Sequence, residues 1–207
     1  MTENQIPDVV IGRLPIYLLK LNQLLRDGQK VVSSSQLAEM IGIPATQIRK
    51  DLSWFGGFGK QGSGYDVIHL LDQLNTILNL NRIWQVVLVG AGNLGMAVVE
   101  YDGFRRKGFE ICAVFDNEPD RIGAKVGHLV VEDVEDLETY IKEHKVLIAA
   151  LAVPASAAPA VANQLVSAGI KAILNYAPVT LRLPEDVVVS YVDPVLSLQK
   201  MTYYLPR

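Results

Sequence analysis

The stretch Val86-Val87-Leu88-Val89-Gly90-Ala91-Gly92-Asn93-Leu94-Gly95 decides the reading of the fold. Four apolar residues form a buried strand, and the three glycines that follow have the GxGxxG spacing of a turn that opens directly into a helix. In such a turn Gly90 permits the sharp exit from the strand, Gly92 lets the backbone approach a pyrophosphate, and Gly95 allows close packing of helix on sheet. Phosphates would rest on the free N–H groups and positive end of the helix opening near Asn93, with Ala91 and Leu94 completing the turn. Asp116 follows Gly95 by 21 residues, at the end of the next apolar run, where a carboxylate accepts both ribose hydroxyls of an adenosine. Its charge repels a 2′-phosphate and favours NAD(H) over NADP(H), although nearby Arg121 acts in the opposite sense. S-adenosylmethionine and coenzyme A sites are the alternatives for a turn of this kind.

Working outward, strands expected at 84–89, 109–115, 145–151, 171–176 and 187–192 alternate with helices at 93–106, 133–143 and 156–168. That order implies right-handed crossovers and a mostly parallel sheet, a doubly wound Rossmann-like α/β domain over residues 83–192. Pro154, in Ala152-Val153-Pro154-Ala155 after a strand, is expected to line its pocket. Ahead of residue 82 the pattern is helical. Leu14, Tyr17, Leu18, Leu21 and Leu24 recur at helical spacing up to Asp27-Gly28, Ser33 to Ser35 offer an N-cap for a short helix ending at Gly42, and Ile43-Pro44 opens a third helix that runs to about Trp54. Short helix, glycine turn and helix give helix-turn-helix spacing. The glycine-rich run from Gly56 to Val67 suits a small β-hairpin, the wing of a winged-helix domain over residues 1–82, and a fourth helix from Val67 to Leu80 leads to the boundary.

Half of the 207 residues are hydrophobic and a fifth are charged, as in globular domains. The single cysteine, Cys112, permits no disulfide framework and fits a reducing cytoplasm. A basic, apolar leader and a run of roughly 18 apolar residues are both missing, so neither export nor membrane insertion is expected. The net charge of −3 conceals an asymmetry, since residues 9–65 hold seven basic against three acidic groups, a local +4.

A nicotinamide enzyme needs a proton donor or acceptor beside the hydride-accepting carbon. Of the three histidines only His128 lies in a loop that qualifies, none has metal-ligand spacing, and no substrate domain follows the α/β elements. No catalytic residue and no metal site is therefore assigned. The third helix offers a different chemistry. At about 100° per residue, Ile48, Leu52 and Phe55 form a buried stripe, while Thr46, Arg49, Lys50 and Ser53 gather on the opposite side, with Asp51 partly offsetting the cations. Such a face suits base edges and phosphates in a major groove of double-stranded DNA, and Lys60 at the hairpin tip would reach an adjacent phosphate. Some winged helices bind proteins instead. A stand-alone NAD-dependent oxidoreductase and a nucleotide-responsive protein-binding module are the rival readings.

Taken together, Arg13-Leu14-Pro15, the run Gln47-Ile48-Arg49-Lys50-Asp51-Leu52-Ser53-Trp54-Phe55-Gly56, Gly59 to Tyr65, Gly90 to Gly95, Tyr101-Asp102-Gly103-Phe104, Phe115-Asp116, Asn175-Tyr176-Ala177-Pro178 and Tyr203-Tyr204-Leu205 resemble the Rex family of bacterial redox-sensing transcriptional repressors. The resemblance implies a homodimer that binds a palindromic operator and releases it when NADH, rather than NAD⁺, occupies the nucleotide domain. It also implies a redox switch in which Arg13, Tyr101 and Asp193 exchange hydrogen bonds. Residues 193–207 would form a domain-swapped dimerisation helix, and their apolar face at Leu198, Met201 and Leu205 must dock somewhere. Pro194 departs from the larger apolar residue expected beside the nicotinamide.

Overall fold

The structure, a computed structural model, describes residues 6–58 and 64–206. They fall into two compact units, Met1–Arg82 and Ile83–Arg207.

In the first unit α1 (Asp8–Ile11) is followed by α2 (Leu14–Arg26). Helix α2 covers the apolar spacing expected from Leu14, and Gly12 and Arg13 separate it from α1, because Pro15 has no N–H with which to continue an earlier turn and instead occupies the first turn of α2. The strand β1 (Val31–Val32) leads to α3 (Ser34–Ile41) and α4 (Ala45–Ser53), the helix-turn-helix pair. Helix α3 begins with a capping box: Gln36 N–H donates to Ser33 Oγ at 3.1 Å, and Ser33 N–H donates to Gln36 Oε1 at 2.8 Å. The strand β2 (Tyr65–Asp66) pairs antiparallel with β1 and runs directly into α5 (Val67–Ile77). The expected hairpin over 56–67 is thus only partly described, and the partner seen for its last strand is Val31–Val32. Lys60, its expected tip, lies outside the described residues. The core of this unit gathers Leu14, Tyr17, Leu21, Leu37, Ile48, Leu70 and Leu74, all at most 1 % exposed, so every long helix contributes a buried stripe.

The second unit holds β3 (Trp84–Val89), α6 (Asn93–Glu100), β4 (Phe109–Asp116), β5 (Lys125–Val126), β6 (Leu129–Asp133), α7 (Leu137–His144), β7 (Ile148–Leu151), α8 (Ala158–Ala168), β8 (Ala172–Asn175), β9 (Val188–Tyr191) and α9 (Pro194–Thr202). The sheet order is β5-β6-β4-β3-β7-β8-β9, with every adjacent pair parallel except β5 and β6. This is a doubly wound sheet whose chain path reverses at β3. Strand residues alternate between two cores: Val87, Val89, Ala149 and Leu151 pack with α7 and α8, whereas Val86, Leu88 and Val114 pack with α6.

Two expectations are corrected. The helix expected over 93–106 ends at Glu100, because Tyr101 turns to an extended conformation, and only a single 3₁₀ turn, Arg105–Lys107, follows. The segment before α7, for which no strand is expected and in which His128 is placed in a loop, contains the hairpin β5–β6, with Gly127 and His128 at its exposed turn. No helix among the described residues is long and apolar enough to cross a membrane.

The reciprocal cap on α3 yields a stability prediction. Ser33→Ala is expected to destabilise the first unit by about 1 kcal/mol, measured as a lowered urea midpoint of the helical signal.

Candidate nucleotide cleft and nucleic-acid interface

The strand-order reversal places the turns after β3 and β7 side by side, and a cleft of about 640 Å³ opens between them. Gly90 has φ +102, open to glycine but strained for other residues, and a Cβ there would strike the carbonyl of Ala152 in the neighbouring turn. At Gly95 a Cβ would overlap the Gly90 carbonyl oxygen, so only glycine lets α6 sit so close to the strand end. Gly92, the N-cap of α6, has open space around it. No side chain caps this helix, and the first-turn N–H groups at the Asn93 end are free to meet an anion.

Gly90, Gly92, Asn93, Leu94, Asp116 and Pro154 all line the cleft. Ala91 and Gly95 do not, because both are buried beneath it. Ala91 acts through its backbone instead: its N–H donates to Asp116 Oδ2 at 2.6 Å. Asp116 also accepts from Glu118 N–H at 2.9 Å and from Arg121 Nη1 at 3.1 Å. Burial pushes the Asp116 pKa up, but the Glu118, Ala91 and Arg121 bonds outweigh it and hold the carboxyl below the usual carboxylate range. Arg121 is half-exposed, so a ribose can displace it while the backbone donors keep the carboxylate in place.

Three residues of the Asn-Tyr-Ala-Pro run complete the site. Asn175 is buried at 1 % exposure, accepts from Ala177 N–H and donates to the carbonyls of Ala177 and Val179. Those bonds fold the loop so that Tyr176 and Pro178 line the cleft. Pro178 is shared with a smaller cleft of about 370 Å³ that Asp193 lines. Asp193 is the N-cap of α9, accepting from Val195 N–H at 2.9 Å, and Pro194 fills the first helical position, where a missing N–H costs nothing. Tyr101 is exposed, with its ring edge-on to Phe104 at 5.7 Å.

In the first unit Thr46, Arg49, Lys50 and Ser53 are all exposed on one face of α4. Arg49 Nη1 donates to Ser34 Oγ at 2.8 Å, and Ser53 Oγ donates to the Lys50 carbonyl at 2.7 Å. Asp51 does not share that face. It is fully buried and paired with the guanidinium of Arg13, so its charge is matched inside the unit and not by the surface cations. Its partners are Arg13 Nε at 2.5 Å, Arg13 Nη2 at 2.7 Å, Tyr17 Oη at 2.5 Å and Gln47 Nε2 at 2.7 Å. Burial raises the Asp51 pKa, but the bonds from Arg13, Tyr17 and Gln47 together lower it below the usual range. Burial, and then the contact with the Asp51 carboxylate, push the Tyr17 hydroxyl well above its ordinary pKa, against the opposing pull of Arg13.

Comparison with known proteins matches both units. Residues 5–53 match a model described as a putative DNA-binding protein N-terminus, and residues 81–179 match one described as a CoA binding domain. The redox-sensing transcriptional repressor Rex of Chloroflexus aggregans is 54 % identical over 204 residues, covering 99 % of this chain and 96 % of the relative. The chain belongs to the Rex family. Rex 1 of Thermotoga maritima is 45 % identical, covering 98 % of this chain and 97 % of its own. Among solved structures, the Rex-family repressor RSP in complex with β-NAD⁺ and operator DNA superposes with a TM-score of 0.92 at 40 % identity, covering 98 % of this chain and 93 % of RSP. RSP in complex with β-NADH gives 0.89 at 39 % identity, with 98 % and 95 % covered. Rex proteins are transcriptional repressors, so this chain is a regulator and not an enzyme.

The two buried carboxylates, Asp51 and Asp116, both depressed, set an acid limit. A group whose folded pKa lies below its unfolded value of about 3.9 contributes stability above that value and loses it as pH falls through the folded pKa. The urea midpoint of the full chain should therefore drop as pH is lowered below about 4. Asp51→Asn should start lower, because Arg13 loses its buried partner, and its midpoint should vary less with pH.

Proposed function

We propose that this chain binds NADH and NAD⁺ in the cleft at Gly90 to Gly95, reads palindromic double-stranded operator DNA with α4, and leaves the DNA when NADH binds. The observation that carries the reading is the combination, in one Rex-family chain, of a glycine turn facing a buried aspartate and a helix face bearing two exposed cations. Asp116 holds the adenosine ribose, and the open end of α6 holds the pyrophosphate. The dinucleotide serves as a signal, and no hydride passes to a substrate. Arg49 and Lys50 supply guanine and phosphate contacts, with Thr46 and Ser53 beside them and Lys60 reaching an adjacent phosphate.

Regulation requires NADH to bind the DNA-incompetent state more tightly than the DNA-competent one, and DNA then opposes NADH by the same coupling free energy. The chain acts as a homodimer in the cytoplasm, where a two-fold axis matches the palindrome. Residues 193–207 are the dimerisation segment of this reading. Val195, Leu196, Leu198, Met201 and Leu205 of that tail are each more than half exposed within one chain, a surface that a second copy would cover. Arg13, Tyr101 and Asp193 remain the proposed redox switch. Because Nε and Nη2 of Arg13 are engaged by Asp51, its part in any exchange with Asp193 falls to Nη1.

The deciding measurement titrates labelled palindromic duplexes with the chain and then adds dinucleotide. Release at low NADH but not at equal NAD⁺ is expected, whereas steady NADH consumption with a small substrate would overturn the reading. Asp116→Ala should weaken NADH binding by roughly 10- to 100-fold, the loss of hydrogen bonds to a charged group. Lys50→Ala should reduce the slope of log affinity against log salt by about one.

A further inference from the structure

A charged group is seldom fully buried in the middle of a helix whose other face is meant for a ligand. Asp51 is at 0 % exposure, one residue from Lys50 and two from Arg49. Its oxygens are met by donors from two directions: Gln47 lies one turn earlier on α4, while Arg13 and Tyr17 stand at the start of α2. Arg13 approaches side-on, with Nε on one carboxylate oxygen and Nη2 on the other, a bidentate geometry that only a planar guanidinium provides.

The apolar stripe of α4, Ile48 and Leu52, fixes how deeply the helix sits. Apolar contact is non-directional, however, and tolerates small rotations about the helix axis. Hydrogen bonds to a carboxylate do not, because they weaken steeply away from alignment. Arg49 and Lys50 directly precede Asp51 on the same helix, so the angle at which Asp51 is held sets the angle at which those side chains face outward.

We propose that Arg13 and Tyr17 are positioning residues for operator reading: through Asp51 they set the roll of α4, and with it the aim of Arg49 and Lys50 at base edges. The inference rests on the DNA reading above. It separates two parts of DNA binding. Phosphate attraction depends on charge near the backbone and tolerates a rolled helix, while base contacts need a fixed direction. Removing the clamp therefore costs discrimination between sequences rather than general affinity.

The test uses the full chain and the duplex that the unsubstituted chain enriches from a randomised library, beside a scrambled duplex of equal length. Tyr17→Phe, Arg13→Lys and Arg13→Met are each titrated against both duplexes over a range of salt, with concentrations corrected to active protein. The expected result is a loss of roughly tenfold on the enriched duplex, the scale of one base contact. Affinity for the scrambled duplex and the salt slope should stay the same, and Arg13→Lys should fail to rescue, since an ammonium keeps the charge without the fork. Tyr17→Phe, which deletes one hydroxyl, keeps the test open where an arginine variant does not fold. Three results would overturn the inference: equal loss on both duplexes with a slope shallower by about one, which makes Arg13 a phosphate contact; unchanged selectivity with only a lower melting temperature, which makes the cluster purely structural; and unchanged selectivity with lost NADH response, which makes Arg13 a switch residue alone. A chain that enriches no duplex overturns the DNA reading itself.

Discussion

A carboxylate or amide withdrawn from water must be met by donors and acceptors at nearly every lone pair and hydrogen, and this requirement governs both units. Among the described residues three polar side chains are buried, Asp51, Asp116 and Asn175, and each lies directly behind a surface that the proposed function gives to a ligand. Asp51 takes its donors from side chains of two helices, so satisfying the charge fixes helix against helix. Asp116 takes two backbone donors and one half-exposed guanidinium, so the turn is fixed while one partner is exchangeable. Asn175 closes on its own loop and thereby presents Tyr176 and Pro178.

The sheet topology explains why the cleft residues, scattered from Gly90 to Pro178, meet at all. Strand β3 has β4 on one side and β7 on the other, both parallel to it, so three strand ends and their turns converge at one edge. The glycines then act by what they lack. Any side chain at Gly90 or Gly95 would separate the turn from its neighbour or the helix from the strand, and the cleft would lose its floor.

Much of this was legible in the sequence because it follows from periodicity. The apolar spacing of α2, the proline and glycine punctuation around α3 and α4, and the strand-turn-helix at Gly90 to Gly95 all mark local structure. Two-residue strands carry no period, which is why the pairing of Val31–Val32 with Tyr65–Asp66 was not foreseen. The β5–β6 hairpin escaped for a related reason, since Gly127-His128 separates strands too short to alternate convincingly. Asp51 was the instructive miss. Its position lies about 60° from Ile48 on a helical wheel, beside the buried stripe, yet its charge suggested the surface. What decides its side is Arg13, 38 residues away, and no local pattern reports that partner.

The order of elements along the chain also bears on how the protein is made. Every contributor to the first unit's core lies before residue 81, so that core is complete once the ribosome has released it. The sheet must wait, because β3 cannot gain its β7 neighbour until Ile148–Leu151 emerges and the far edge is not laid down until Val188–Tyr191. For part of each round of translation the nascent chain therefore carries a finished α4 without a finished sensor. The apolar segment at α9, which would invite premature association, emerges only after β9.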